Sequence, residues 1–155
     1  MTPEQRDRSR TLKMRNTRRL RQQTTEQELR GAGLNPLPVA AERSERLLRK
    51  ITKSSPVADL TERKDWQEEV RRFAVSRFGL TIAALWDWDG VEPMWRLAGA
   101  SVSRHPSHLA QLYPSGFWLS DDDDRCVLVV DLDFNESDQR LVARTTELTL
   151  ADAED

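Results

Sequence analysis

Apolar positions are sparse in the first third of the chain and dense after it. Residues 4–30 have a helix-favouring composition but only a thin apolar stripe, which predicts a helix that is marginal by itself. The Gly- and Pro-containing segment 31–38 breaks that helix, and a second helix is predicted at about residues 40–52. The Ser-Ser-Pro sequence at residues 54–56 is the candidate linker.

The chain therefore divides into an N-terminal segment, residues 1–56, and a compact domain, residues 57–155. A stronger helical periodicity opens the compact domain at residues 60–78, just before Gly79, a residue type that commonly ends helices. The apolar positions of this helix recur at spacings of three to five and are Trp66, Val70, Phe73, Ala74 and Phe78. They form one face, which predicts that the helix packs on a core.

Alternation of apolar and polar positions predicts a first hairpin after that helix. Residues 81–88 alternate and precede Asp89-Gly90, a dipeptide typical of two-residue type I′ turns. This turn sets a register in which Ala84 lies opposite Trp95. One face of the hairpin is then almost wholly apolar.

A second hairpin is predicted from strands at residues 117–120 and 126–134, on either side of the acidic loop 121–125. A short helix is predicted at about residues 106–112, and a final helix starts near residue 135 or 137. The buried stripe of this final helix consists of Leu141, Val142, Thr145 and Leu148.

These elements predict an α+β fold, an antiparallel sheet of two hairpins with helices on one side. A basic N-terminal segment, helical and partly disordered, precedes it. Residues 1–58 contain no Trp, Phe or Tyr and can bury little alone, whereas the chain from Trp66 onward is apolar enough for a core.

Charge divides the chain in a similar way. Residues 1–72 carry 18 Lys/Arg against 11 Asp/Glu, a net charge of +7. Residues 73–155 carry 6 against 15, a net charge of −9, and the two parts add up to the formal net charge of −2. The first 25 residues hold 8 basic and 2 acidic side chains. This asymmetry indicates that the two halves have different partners.

The N-terminal basic residues are the candidate nucleic-acid contacts. Cationic side chains neutralise phosphates and release counterions, so binding through them depends on salt. The candidates are Arg6, Arg8, Arg10, Lys13, Arg15, Arg18, Arg19 and Arg21. The same charges could instead dock onto an acidic protein surface or act as a solubilising tail.

Three stretches of the compact domain resemble a GAF domain. The sequence RFAVSRFGLTIAALW (72–86) has an amphipathic helix, a glycine and an apolar strand, and MWRLAG (94–99) is similar to the family's LRLVA segment. The run from Cys126 to Val142 is similar to the family's closing strand, cap and terminal helix. The resemblance covers about residues 66–150, a pattern that PAS-like and roadblock/profilin-like folds share.

This resemblance implies a regulatory domain that binds a small effector or dimerises. GAF domains place further helices and a strand around the ligand pocket, and only residues 100–116 are available for them here. That shortage favours dimerisation over an enclosed pocket.

Aromatic side chains are the candidate ligand-binding or interface residues of the compact domain. They are Trp86, Trp88, Trp95 and Trp118, with Arg96 as the partner of an anionic group. The competing interpretation is that these tryptophans form the core beneath a helix.

Catalytic and metal chemistry has little support in the sequence. The strand-end aspartates Asp87, Asp89, Asp131 and Asp133 could hold a divalent cation for phosphoryl transfer, but Asp is also common in turns and on solvated faces. One cysteine, Cys126, excludes an internal disulfide, and no phosphate-binding loop or nucleophile elbow is present. We therefore expect no catalytic residue, no bound metal and no cofactor.

The sequence thus predicts a non-enzymatic, cytoplasmic regulator of transcription. Its basic arm contacts nucleic acid, preferentially DNA, and its GAF-like domain binds an effector or forms a homodimer, with no membrane involvement. One alternative is a protein–protein interaction module without nucleic acid. The other is a metal-dependent phosphoryl-transfer enzyme that uses the strand-end aspartates.

Overall fold

The protein is described by a computed structural model over residues 2–54, 60–84, 94–135 and 137–150. Its elements are α1 (Pro3–Gly31), β1 (Leu37–Pro38), α2 (Ala41–Lys53), β2 (Thr61–Glu62), α3 (Trp66–Val75), β3 (Gly79–Ala84), β4 (Trp95–Ala98), α4 (Gly99–Arg104), α5 (Pro106–Leu112), β5 (Gly116–Asp121), β6 (Cys126–Asn135) and β7 (Arg140–Thr149). The seven strands form one antiparallel sheet in the order β1-β4-β3-β5-β6-β7-β2. The predicted α+β class is confirmed.

The predicted helix at residues 60–78 is shorter in the structure and spans Trp66–Val75. Thr61 and Glu62 are instead extended, because they pair with Thr145 and Arg144 of β7. Backbone hydrogen bonds offered by an open strand edge have outweighed the helical propensity of this segment.

The first hairpin pairs β3 with β4, with a register that differs from the prediction. Ile82, rather than Ala84, lies opposite Trp95, so the pairing is displaced by two residues. A displacement of two keeps each side chain on its predicted face of the sheet. The turn predicted at Asp89-Gly90 lies outside the described residues.

The second hairpin is confirmed, but the predicted final helix is wrong. Residues Arg140–Thr149 form β7, which pairs with β6 along its whole length, from Asn135 opposite Arg140 to Cys126 opposite Thr149. The segment contains β-branched side chains, Val142, Thr145, Thr146 and Thr149, which suit a pleated strand better than a helix. The edge of β6 supplies the hydrogen bonds that hold it.

Helices cover both faces of the sheet. Helices α3, α4 and α5 of the compact domain lie on one side, as predicted, and the other face is covered by α2, which the prediction placed in the preceding N-terminal segment. Helix α3 packs over a first face that includes Ile82, Phe117 and Val130. Helix α2 packs over the second face, where Leu47 and Ile51 join a cluster with Ala83, Met94, Trp118, Val127 and Val129. Since alternate positions of the central strands are apolar on both faces, each face requires a cover.

Among the residues of α1 whose burial is described, those that reach the core lie at its C-terminal end. Leu29 and Leu34 are fully buried in the cluster of the first face. The Leu34 N–H donates to the Leu29 carbonyl and the Gly33 N–H to the Arg30 carbonyl, each at 3.0 Å, with Gly33 at a φ of 78°. This is the Schellman arrangement, which closes the helix and packs its two leucines together.

The N-terminal segment is therefore only partly separate from the body. Leu29, Leu34, Leu47 and Ile51 are buried with residues of the sheet, although all four fall within the predicted arm at residues 1–56. The predicted boundary beside residue 56 lies outside the described residues.

Candidate functional site

Helix α1 carries the candidate nucleic-acid contacts, and its N-terminus is well capped. The Gln5 N–H donates to Thr2 Oγ1 (3.2 Å), and the Thr2 N–H donates to Gln5 Oε1 (3.0 Å). Pro3 occupies the first turn together with Glu4, an acidic residue favoured by the helix dipole. The 29 residues extend over about 44 Å at 1.5 Å per residue.

Most of this helix is open to solvent. Between Pro3 and Glu28, no residue whose burial is described belongs to the core. The exposed candidates are Arg6, Arg8, Arg10, Lys13 and Arg19. Arg15, Arg18 and Arg21 also lie on α1, but their side chains are outside the described part of the structure.

The exposed cations lie in two rows along the helix. Arg6, Arg10 and Lys13 are spaced by four and three residues, so they follow one side at 3.6 residues per turn. Arg8 and Arg19 are about three turns apart and form a second row, roughly 150° around the axis from the first. Positive charge therefore flanks α1 on nearly opposite sides.

The two candidate tryptophans that the structure describes, Trp95 and Trp118, do not line a common pocket. Trp95 is 4% exposed and packs in the core of the first face, whereas Trp118 is 2% exposed and packs in the core of the second. Trp86 and Trp88 lie outside the described residues. For Trp95 and Trp118, the structure places both side chains in the hydrophobic core.

Arg96, the predicted anion partner, is bound within the protein. Its Nε donates to Asp122 Oδ1 (3.1 Å) and its Nη2 to Asp122 Oδ2 (2.8 Å). These hydrogen bonds hold the pKa of Arg96 above its usual value, so the guanidinium stays charged throughout the physiological range. Asp122 thus already occupies the position that a ligand anion would need.

The acidic loop at residues 121–125 also has internal partners. The Arg43 Nη2 of α2 lies 3.1 Å from Asp124 Oδ1, and the Lys50 Nζ donates to the Asp124 carbonyl at 3.3 Å. Asp124 is 8% exposed and adopts a φ of 55°, which Asp and Asn tolerate. The loop therefore attaches α2 to the sheet.

Of the four aspartates considered as metal ligands, the structure describes two, and these two do not belong to a group that could hold a metal ion. Asp131 and Asp133 are two positions apart in β6 and therefore share a face of that strand, while Asp87 and Asp89 are outside the described residues. Within residues 2–54, 60–84, 94–135 and 137–150, no three His, Cys, Asp or Glu side chains are grouped so as to hold a metal ion.

We expect the Arg43–Asp124 pair to contribute measurably to stability. Asp124→Asn retains the turn conformation and removes the charge, so a double-mutant cycle with Arg43→Gln isolates the pair. The side chains are 24% and 10% exposed, and we expect a coupling free energy of about 1–2 kcal/mol in urea unfolding. The surface pair Arg71–Glu68, with side chains 47% and 51% exposed, is the control and should give about 0.5 kcal/mol or less. Equal couplings for the two pairs would contradict this assignment.

A second candidate site is an open cleft of about 400 Å³ on the first face of the sheet. Helix α3 forms one wall, β7 the other, and β2 closes one end. Its charged lining comprises Arg63, Glu69, Arg72, Arg77 and Glu147. Phe73 and Leu128 form apolar surface beneath these groups, and threonines of β2 and β7 complete the lining.

Several of the cleft residues are held by contacts with one another. The Thr145 hydroxyl donates a short hydrogen bond to Glu69 Oε2, and Glu69 Oε1 lies 3.5 Å from the Arg63 Nε. The Arg77 Cζ lies 3.8 Å from the centroid of the Phe73 ring, and its Nη1 donates to the Phe73 carbonyl at 2.7 Å. These contacts fix the walls of the cleft.

The sequence could not have disclosed this cleft. Arg72 and Phe73 fall on the predicted helix, but Thr145 was assigned to the buried stripe of a final helix that is in fact β7. The signal that points to the strand is the concentration of β-branched residues after position 141.

Comparisons of the chain with protein-family models, with curated proteins and with solved structures find no match. None of the helices in the described ranges combines the length and apolarity needed to cross a bilayer.

Proposed function

We propose that this chain is a non-enzymatic regulator that contacts nucleic acid, preferentially DNA, through helix α1. The observation that carries the proposal is a capped 29-residue helix that presents two exposed basic rows and whose described side chains reach the core only at its C-terminal end. The α+β body serves as a GAF-like dimerisation or effector-binding domain in this proposal, and the protein acts in the cytoplasm.

The dimensions of α1 suit a DNA groove. An α-helix with its side chains is about 10–12 Å across, and the major groove of B-DNA is about 12 Å wide. A helix lying in that groove has a phosphate backbone on either side. The row of Arg6, Arg10 and Lys13 and the row of Arg8 and Arg19 can each face one of these strands.

The acidic part of the chain directs nucleic acid to the helix. Residues 73–155 carry 6 Lys/Arg against 15 Asp/Glu, so this part repels a polyanion. The segment of α1 up to residue 25 carries 8 basic against 2 acidic side chains. Glu26, which pairs with Arg30 at 2.7 Å, marks the return of acidic residues toward the anchored end.

Removing one basic row should reduce both the affinity for DNA and its dependence on salt. We expect the triple variant Arg6→Gln/Arg10→Gln/Lys13→Gln to lower the slope of log K against log salt by about 2.7, if each side chain contacts one phosphate. The measurement is a fluorescence-anisotropy titration of a random DNA duplex at several salt concentrations. The same titration with an RNA duplex separates the two nucleic acids.

A matched control removes three exposed arginines outside α1. Arg46→Gln/Arg49→Gln/Arg104→Gln changes the net charge equally, and its slope should remain that of the original protein. Equal losses in both variants would show that binding follows net charge rather than α1. Absence of binding to DNA and RNA at low salt would favour a protein–protein interaction module instead.

A further inference from the structure

We infer that the cleft between α3, β7 and β2 binds a small organic molecule that carries one oxyanion group and N–H or O–H donors. This inference specifies the effector-binding role proposed for the α+β body and is independent of the nucleic-acid contact proposed for α1, because the cleft residues lie outside that helix. Nucleoside monophosphates and amino acids both supply this chemistry.

Arg72 of α3 and Arg77, which lies two residues beyond the end of that helix, provide the cationic end of the cleft. No hydrogen bond or ion pair joins the Arg72 side chain to another residue in the part of the chain that the structure describes. The Arg77 Cζ lies over the Phe73 ring, 3.8 Å from its centroid, and Nη1 donates to the Phe73 carbonyl, so two contacts hold the guanidinium in place. A positioned guanidinium beside an unpaired one can bind a carboxylate or a phosphate.

The remaining charges leave the cleft positive. Glu69 accepts the Thr145 hydroxyl and lies 3.5 Å from Arg63, so these two ionised groups balance each other. Arg72 and Arg77 then face a single further carboxylate, that of Glu147, and the cleft has a net charge of +1. It therefore attracts an anionic group.

Glu147 sets the second requirement on the ligand. Its side chain forms no ion pair or hydrogen bond with another described residue, so the carboxylate is available to accept N–H or O–H donors. An anion without such donors would be attracted by the two arginines but would leave the Glu147 carboxylate without a partner. A ligand with both features satisfies the arginines and the glutamate together.

The size and floor of the cleft suit a small organic molecule. Its volume of about 400 Å³ lies within the range of about 300–1,000 Å³ that is common for ligand sites. Phe73 is buried at 3% exposure and Leu128 at 2%, so together they form a firm apolar floor. The body of the ligand would rest there, with its polar ends toward the walls.

Two pairs of probes test the inference by calorimetry and thermal unfolding of the full chain. AMP and L-phenylalanine each carry an oxyanion and donors, whereas adenosine and L-phenylalaninamide lack the oxyanion. We expect saturable binding of AMP, of L-phenylalanine, or of both, and much weaker binding of the counterpart. The responding pair identifies the source of the oxyanion.

Variants then locate the binding. Arg72→Gln should lower affinity about tenfold to a hundredfold, the effect of a lost charge-assisted hydrogen bond, and Glu147→Gln by about tenfold or less. Arg49→Gln, on α2 across the sheet, should leave affinity unchanged, and Arg72→Gln should leave DNA binding unchanged. Lack of saturable binding by both anionic probes would overturn the inference. Affinity that is insensitive to Arg72→Gln and Glu147→Gln would also overturn it.

Discussion

Replacing Trp118 by alanine is expected to lower the free energy of unfolding by about 3–5 kcal/mol. Trp118 is 2% exposed and lies in the cluster that α2 forms with the second face of the sheet. The substitution removes the largest side chain of that cluster and leaves a cavity between α2 and strands that cannot collapse. Urea unfolding monitored by circular dichroism measures the loss.

A matched control replaces an aromatic side chain that buries little surface. Phe78 is 89% exposed, and Phe78→Ala should change stability by about 0.5 kcal/mol or less. If Trp118→Ala lowered the free energy of unfolding as little as Phe78→Ala, Trp118 would not be a core residue. The alternative that it contacts a ligand would then be favoured.

Replacing Gly116 by alanine is expected to lower the free energy of unfolding by about 3 kcal/mol or more. Gly116 has a φ of 114°, which costs an L side chain about 1–3 kcal/mol. A Cβ at this position would also lie 2.4 Å from the Val130 carbonyl oxygen, so β5 and β6 would have to separate. Such overpacking costs about another 1–3 kcal/mol.

The same substitution elsewhere gives the control for Gly116. Gly31 is the last residue of α1, and an added Cβ there meets no atom within 4 Å. Gly31→Ala should therefore raise stability slightly, by about 0.5–1 kcal/mol, because alanine favours the helix. Thermal unfolding of the two variants should move in opposite directions, and a stability loss at Gly116 no larger than about 1 kcal/mol would contradict the close contact.

The local pattern of the chain was sufficient for several elements of the fold. The break at residues 31–38 correctly limits α1, and the alternation at residues 126–134 correctly predicts β6. In these segments the apolar spacing and the turn residues indicate the same structure, so tertiary packing had nothing to override.

The final segment shows where local pattern was insufficient. Leu141, Val142, Thr145 and Leu148 have a spacing that fits a helix, yet they lie in β7. The spacing is ambiguous, and the unpaired edge of β6 decided the outcome by supplying hydrogen bonds that a helix would not use. A sequence read one segment at a time contains no information about that edge.

The two candidate sites differ in the same way: the basic residues of α1 can be predicted from the local sequence, and the cleft cannot. The cations of α1 are visible in composition alone, because a dense run of arginine without apolar partners has no place in a core. The cleft is not visible in this way, since Arg72 is 75 positions from Glu147 and becomes its neighbour only when β7 pairs with β6. Trp95 and Trp118 pack on opposite faces of the sheet, and this difference also arises only when the strands assemble.

By itself, the sequence determined the α+β class, the second hairpin and a basic helical N-terminus opposed to an acidic remainder. These properties follow from side-chain periodicity, turn chemistry and charge, all of which act over a few residues. Only the tertiary structure decided that α2 covers the second face, that Asp122 and Asp124 pair with Arg96 and Arg43, and that β7 opens a cleft beside α3. Each of these depends on contacts between distant segments, which form when apolar faces are buried and open strand edges are paired.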